Sequence, residues 1–500
     1  LPGCLSSRPS FAWSGKISDF IFLGGNENQG MLLTFIGLYL LLTIAIGWWA
    51  STKVKNTQDF VIAGRNLPMV VAASALFATW FGSETIMGAS SEFVEHGLLG
   101  VIEDPFGAAL CLILVGAFFA RPLYRLNILT FNDFFRLRFS RRAELISAVF
   151  IVPSYFGWIA AQLVALAIIL KTLAGIPLFY GIMVCTLVVV FYTYIGGMWA
   201  VSVTDSVQTV MILAGLLFLA WLLAKEVGGV QEVLDSTPEG FFRFVPPADF
   251  GAVVHYIAAW ITIGLGSIPQ QDVFQRVLSA RSERTAVQAS YLSGFMYLTI
   301  GFIPLFIALC GKILYPEIED GDTQMVIPLM VMEHGNLFLQ IMFFGALLSA
   351  ILSTTSGAML APATVIGENL VRPYFKNIDD RRLLRVMRLS VVAVAICSAI
   401  MAGASADIYD LVAQSSSLSL VSLFIPLTAG LYWRRASNTG ALASILGGML
   451  VWILCEYVLH TETPALIYGA LASALAMLVG SLAWPDKTYR RFLETTTGSG

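Results

Sequence analysis

At 500 residues and 54.3 kDa the chain is as long as two to four soluble domains, yet its composition excludes them. Hydrophobic residues make up 57% and charged residues 12%, with a mean hydropathy of +0.79, whereas a water-facing surface carries roughly a quarter to a third of its residues as Lys, Arg, Glu and Asp. The chain reads as a membrane protein, and a formal charge of −3 with a pI near 5.9 excludes nucleic acid as a partner. Cys111, Cys185, Cys310, Cys397 and Cys455 lie inside apolar runs and only Cys4 lies outside them, which is not a disulfide framework.

Leu1–Gly30 has no basic-then-apolar signal pattern and does not begin with Met, so it is read as a processed or appended leader. Crossing a hydrocarbon core of about 30 Å takes about twenty apolar residues. Thirteen runs meet that requirement: 31–51, 68–90, 101–120, 145–170, 177–199, 202–224, 252–275, 289–311, 336–367, 389–404, 407–433, 438–458 and 465–484. Uninterrupted runs predict an all-α bundle, since a barrel would need short alternating segments. With the loops assigned alternately to the two sides, one side holds 23 Lys and Arg and the other only Arg8, Lys16, Lys171, Lys225, Arg243 and Lys312. That excess predicts a cytoplasmic first side, with the N-terminus outside and the C-terminus inside.

Two of the spans are interrupted. The second contains Trp80-Phe81-Gly82-Ser83-Glu84-Thr85 followed by Gly88, and the seventh contains Gly264-Leu265-Gly266-Ser267-Ile268-Pro269-Gln270-Gln271-Asp272. A broken helix in a membrane needs protein, water or an ion to satisfy its freed carbonyls. These are the first helices of two five-helix groups, 68–224 and 252–433, and matched breaks of this kind mark an inverted-repeat secondary transporter. Charges within spans are costly and seldom idle. Asp205 opens the sixth span beside Thr204 and Gln208, Glu103 and Asp104 begin the third with Pro105, and Glu84 lies at the break itself. His96, His255, His334 and His460 have no metal-ligand spacing.

The ninth span carries Ala350-Ile351-Leu352-Ser353-Thr354-Thr355-Ser356-Gly357 in mid-membrane. One hydroxyl there would simply bond back to its own helix. Four in a row offer more: hydroxyls and a carbonyl from this turn, with carbonyls from an unwound helix opposite, make an oxygen cage for a hard cation. Neutral ligands suit a monovalent ion, and sodium fits best.

Several segments resemble the sodium/solute symporter family, over about Met31 to Arg491. They are Asp59-Phe60-Val61-Ile62-Ala63-Gly64-Arg65; Tyr192-Thr193-Tyr194-Ile195-Gly196-Gly197 with Ala200-Val201 and Thr204-Asp205-Ser206-Val207-Gln208; Gln275-Arg276-Val277-Leu278-Ser279-Ala280; and Ala350, Ser353 and Thr354. The resemblance implies a LeuT-type 5+5 inverted repeat (68–224 and 252–433) with an extra helix (31–51) before it, two helices (438–484) after it, and a cytoplasmic tail (485–500). It also implies a multi-pass protein of a plasma membrane, of bacterial inner-membrane type, functional as a monomer.

Carried over by residue, the family's sodium site would use the Ala78, Phe81 and Ala350 carbonyls and the Ser353 and Thr354 hydroxyls. A second ion would use Asp205, Ser353 and Ser356, but Gly357 replaces the serine that two-sodium members carry. For the solute, the resemblance points to Thr85 beside Glu84, to Glu103, and to Gln270 and Gln271 at the second break. Locally the chain is most similar to the choline transporter branch, with likeness also to the sodium/proline symporters. Trp80 and Trp158 fall at two positions of the choline-enclosing aromatic box, and Gln270 takes the third. Losing one ring removes about 2 kcal/mol of cation–π attraction, which leaves a zwitterion or another organic cation in contention.

The expected function is sodium-coupled uptake of a small organic solute by alternating access. Enzyme chemistry is argued against by the lack of a Walker A loop, an H-E-x-x-H pair or a G-x-S-x-G turn. The alternative is a transporter-like receptor that binds the solute without accumulating it.

Overall fold

The computed structural model describes residues 26–52, 57–316, 322–375 and 378–486, with 488, 489 and 492. Most of the leader and of the tail therefore lies outside the described residues. The described residues are helical, with one isolated parallel bridge between Leu67 and Ala280. Helix α1 (Asn26–Ser51) precedes a broken helix made of α2 (Met69–Phe77) and, after a π-helical turn at Glu84–Gly88, α3 (Ala89–His96). A second broken helix pairs Phe250–Gly266 with Gln271–Ser279, bent by 48°. Both expected interruptions are thus present.

Among the described residues nine helices are long and apolar enough to cross a membrane, ten if the bent pair counts as one span, against the thirteen runs read from the sequence. Glu84–Arg125 merges the end of the second run with the third, and the first and fifth runs meet the rule only as the shorter apolar helices Gly30–Leu42 and Leu178–Phe191. Glu84–Arg125 turns at Gly97, whose φ of +65° suits glycine, and opens again at Asp104 (φ −142°, ψ 122°). Leu178–Val227 is 50 residues, about 75 Å if straight, more than twice the hydrocarbon thickness. A Cβ at Gly181 would meet Ala167 of the preceding helix, the Tyr194 ring lies 4.8 Å under Arg388, and Glu226 pairs with His334 at 2.6 Å. The side chains of residues 192, 195–197 and 200 lie outside the described set.

Helix starts coincide with polar caps at the ends of apolar runs. Asp249, Ser282, Asn336, Asp379, Asp407 and Ser437 each accept a hydrogen bond from a backbone N–H in the first turn that follows. The span rule passes over two shorter helices, Phe131–Arg138 and Val326–His334. Thr130 and Asp133 close the first with a reciprocal capping box.

Loops that the alternation assigns to one side meet one another. Arg121 and Arg125 both pair with Glu283, Leu67 N–H donates to Ser279, and Arg141 donates to the Asn369 carbonyl. At the opposite ends, Lys312 Nζ donates to the Val94 carbonyl at 2.7 Å. Arg138 is fully buried on the basic face. Its fork donates to the carbonyls of Gly430 (2.8 Å), Trp433 (3.3 Å) and Ala436 (3.0 Å) and to Thr488 Oγ1 (3.1 Å), between the rings of Phe139 and Tyr489. Removing it strands several buried carbonyls, so Arg138→Met should cost on the order of 2–5 kcal/mol. The check is the apparent Tm in detergent. Arg138→Lys, a point donor in place of a fork, should recover only part, and an unchanged Tm for Arg138→Met would contradict the clamp.

Candidate functional site

At the first break, hydroxyls add to or replace backbone donors: Ala78 O accepts from Thr354 Oγ1 (3.0 Å), and Phe77 O accepts from Tyr297 Oη (3.0 Å) as well as from the Phe81 N–H (3.3 Å). Trp80 O accepts the Gly82 N–H at 2.7 Å, with Thr85 Oγ1 at 3.4 Å. Tyr297 belongs to Glu283–Ile300, and Thr354 to the 29-residue helix Leu337–Val365. On that helix the four adjacent hydroxyls divide. Thr355 bonds back to the Ile351 carbonyl at 2.5 Å, while Thr354 reaches the break and Ser353 meets Thr204 Oγ1 at 3.0 Å. Phe81 and Ala350 are both buried, and a Cβ at Gly82 would lie 3.8 Å from Ile351, so the break packs on the hydroxyl-bearing turn. This set of neutral oxygens fits a monovalent cation.

Asp205 and Ser356, expected for a second ion, are also buried. Neither carboxylate oxygen of Asp205 has a hydrogen-bond partner among the described residues. Arg276, itself 1% exposed, has its Nη2 2.9 Å from where a Cβ of Gly357 would stand. A serine there would press on the guanidinium, so the glycine and the arginine fit as a pair.

Between the two breaks lies a cluster of aromatic and acidic side chains. Trp80 is edge-on to Tyr297 (6.3 Å between centroids), and Trp158 Nε1 donates to Glu84 Oε2 at 3.2 Å. Thr85 Oγ1 also lies 2.6 Å from Asp104 Oδ2, so Asp104, not its neighbour Glu103, meets Thr85. Glu103 is half-buried, with Oε2 unpartnered among the described residues. Tyr155 joins the first break to the second: its ring lies 6.0 Å from Trp158, its hydroxyl donates to Asp272 Oδ1 at 2.6 Å, and it accepts the Asp272 N–H at 2.9 Å. Gln270 is buried with Oε1 unpartnered, whereas Gln271 Oε1 accepts the Phe131 N–H at 2.6 Å and so ties the second break to the basic face. A Cβ at Gly266 would collide with the Ser416 carbonyl, which accounts for a glycine at the second break.

Sequence reasoning selected Trp80, Glu84, Thr85 and Trp158, which the structure brings together. It did not select Asp104, Tyr155, Asp272 or Tyr297 as site residues. Asp272 stands within the quoted interruption and Asp104 beside Glu103, but the two tyrosines have no local signal. Tyr155→Phe removes two hydrogen bonds to Asp272, one of them to a buried carboxylate. Thermal unfolding should show a loss of about 1.5–3 kcal/mol, and an unchanged Tm would mean that Asp272 is held by other groups.

Comparison with known proteins agrees with this architecture. The model of the Sodium:solute symporter family matches residues 60–448. The chain is 25% identical to the high affinity choline transporter 1 of Homo sapiens over 445 residues, covering 84% of this chain and 76% of that one. It is 26% identical to the osmoregulated proline transporter OpuE of Bacillus subtilis (strain 168), covering 90% and 94%, and 24% identical to a sodium/glucose cotransporter of Vibrio parahaemolyticus, covering 82% of each. A Na+-coupled sialic acid symporter in a substrate-bound outward-open state superposes with a TM-score of 0.77 at 19% identity, covering 91% of this chain and 98% of that one. That likeness shows a LeuT-type transporter fold. With its family model matched over most of its length, the chain is a transporter, not an enzyme, and belongs to the Sodium:solute symporter family.

Proposed function

We propose that the protein imports a small organic solute, an amino acid or other zwitterion or an organic cation, together with sodium by alternating access. The observation that carries this reading is the Thr354 hydroxyl on the Ala78 carbonyl, which closes the hydroxyl turn onto the first break. Sodium would sit among the Ala78, Phe81 and Ala350 carbonyls and the Ser353 and Thr354 hydroxyls, and the solute beside it at Trp80, Glu84, Thr85 and Trp158. Relatives named for choline, proline and glucose support solute transport without singling out one solute. The buried carboxylates favour a positively charged group. The face holding Arg121, Arg125, Arg138 and Arg141 is assigned to the cytoplasm by its basic excess.

One sodium moving down a tenfold gradient and about 100 mV releases about 3.7 kcal/mol, enough for an approximately 500-fold solute gradient. Sodium, against potassium at equal ionic strength, should raise the Tm of the wild type, and Ser353→Ala and Thr354→Ala should each abolish that shift while still folding. Proteoliposomes with an inward sodium gradient should accumulate label from a panel of amino acids, betaines and amines. Binding without accumulation would turn the reading to a receptor, and uptake indifferent to sodium would sink the ion site.

Arg276 against Gly357 supports coupling to one ion. The sodium dependence of the Tm shift or of uptake should have a Hill coefficient of about one. Gly357→Ser should lower the Tm by displacing the guanidinium and leave that coefficient unchanged; a well-folded variant with a coefficient approaching two would contradict the assignment.

A further inference from the structure

Where the two broken helices meet, four donors are already engaged within the protein, while acceptors are left over. Trp158 Nε1 goes to Glu84 Oε2, Thr85 Oγ1 to Asp104 Oδ2, Tyr155 Oη to Asp272 Oδ1 and Tyr297 Oη to the Phe77 carbonyl. Against these, Glu84 Oε1, Asp104 Oδ1, Asp272 Oδ2 and Gln270 Oε1 have no hydrogen-bond partner among the described residues, and all four residues are 3% exposed or less. Asp272 has Arg276 at 3.7 Å as a counter-charge. Glu84 and Asp104 lie within Coulombic reach of each other, and no described Lys, Arg or His pairs with either.

This arrangement calls for a ligand that brings both charge and N–H donors. Resting on the reading that the solute sits between the breaks, we infer that it carries a primary ammonium or guanidinium group, held by the free oxygens of Glu84 and Asp104 with Gln270, and that quaternary ammonium ions are rejected. An ammonium offers three donors and a guanidinium five, with no acceptor to waste. A quaternary ammonium has none and relies on ring faces, yet Trp158 already turns its N–H to Glu84, and Gln270 brings an unpartnered amide oxygen, not a ring, to the second break. Buried oxygens left bare by methylation discriminate strongly: sites built to hydrogen-bond a group reject analogues lacking it by factors reaching about 10⁴.

The test is a thermal-shift titration of the whole protein with matched pairs: ethanolamine and choline, glycine and glycine betaine, and 1,4-diaminobutane and its bis-trimethylammonium analogue, with agmatine as the guanidinium. Each is run in sodium and in potassium chloride. At least one N–H cation should stabilise the protein, with half-saturation at least tenfold below that of its methylated partner. Glu84→Gln and Asp104→Asn should each raise that half-saturation about tenfold or more, while the shift caused by sodium alone, kept as the folding control, persists. A methylated member that binds as tightly as its N–H partner would overturn the inference, as would the absence of stabilisation by every N–H cation. N–H selectivity that is the same in potassium would count against sodium coupling and leave the recognition standing. A sodium-dependent shift from quaternary members alone would do the reverse.

Discussion

A backbone carbonyl in hydrocarbon must find a donor, and the interval from Ala78 to Ser83 removes the helical donors from several at once. Much of the central packing follows from how those carbonyls are satisfied. Tyr297 and Ser293 brace the helix Glu283–Ile300 against Phe77 and Ala73, and Thr354 brings Leu337–Val365 onto Ala78. That long helix is in turn tied to Leu178–Val227 by Thr204 with Ser353 and by Gln208 Nε2 with Ser349 Oγ at 2.6 Å. Glu283–Ile300 and Leu337–Val365 thus reach the end of the first half-helix and the break directly, and Leu178–Val227 reaches them through Leu337–Val365.

The second break is held by different forces. Asp272 lies in the first turn of Gln271–Ser279, where a carboxylate is favoured by the exposed N–H groups, and it is flanked by Arg276 one turn on and by Tyr155. Hydroxyl–carbonyl bonds such as those at the first break have net values of about 1 kcal/mol each and can be exchanged for ion contacts. A buried charge pair costs about 3–5 kcal/mol to open by removal of one partner. The two breaks are therefore held by interactions of different strength, although both look alike as glycine-bearing interruptions of an apolar run.

That contrast marks where the residues alone are informative. A glycine, a proline or a row of hydroxyls in an apolar run is a local anomaly, so both breaks and the Ser353–Ser356 turn are legible. Which of four adjacent hydroxyls faces the break is decided by helix packing, and only the structure separates Thr355, bonded to its own helix, from Ser353 and Thr354. Asp104, not its neighbour Glu103, meets Thr85, and the backbone at 104 is extended there, a local geometry that side-chain identity does not reveal. Tyr155 and Tyr297 are two of 16 tyrosines, and their roles depend wholly on partners about 120 and 220 residues away. Gly97, at φ +65°, turns the chain between the second and third runs, and hydropathy marks the gap between those runs without showing its geometry.

Coupling, under the proposed symport, follows from how short the first break is. Ala78, which takes Thr354, and Thr85, which takes Asp104, are separated by seven residues, so one unwound segment faces both the ion ligands and the solute-side carboxylates. An ion drawing ligands from this segment and from Ser353 and Thr354 has its full oxygen set only when the break and the long helix are together; moved apart, neither half offers more than three of the five. Sodium therefore binds the closed arrangement better than the parted one, and it shifts the equilibrium by that difference in affinity and no more. Thr85 and Glu84 of the same segment contact Asp104 and Trp158. By linkage, a solute that needs those groups together must strengthen sodium binding by the factor with which sodium strengthens its own.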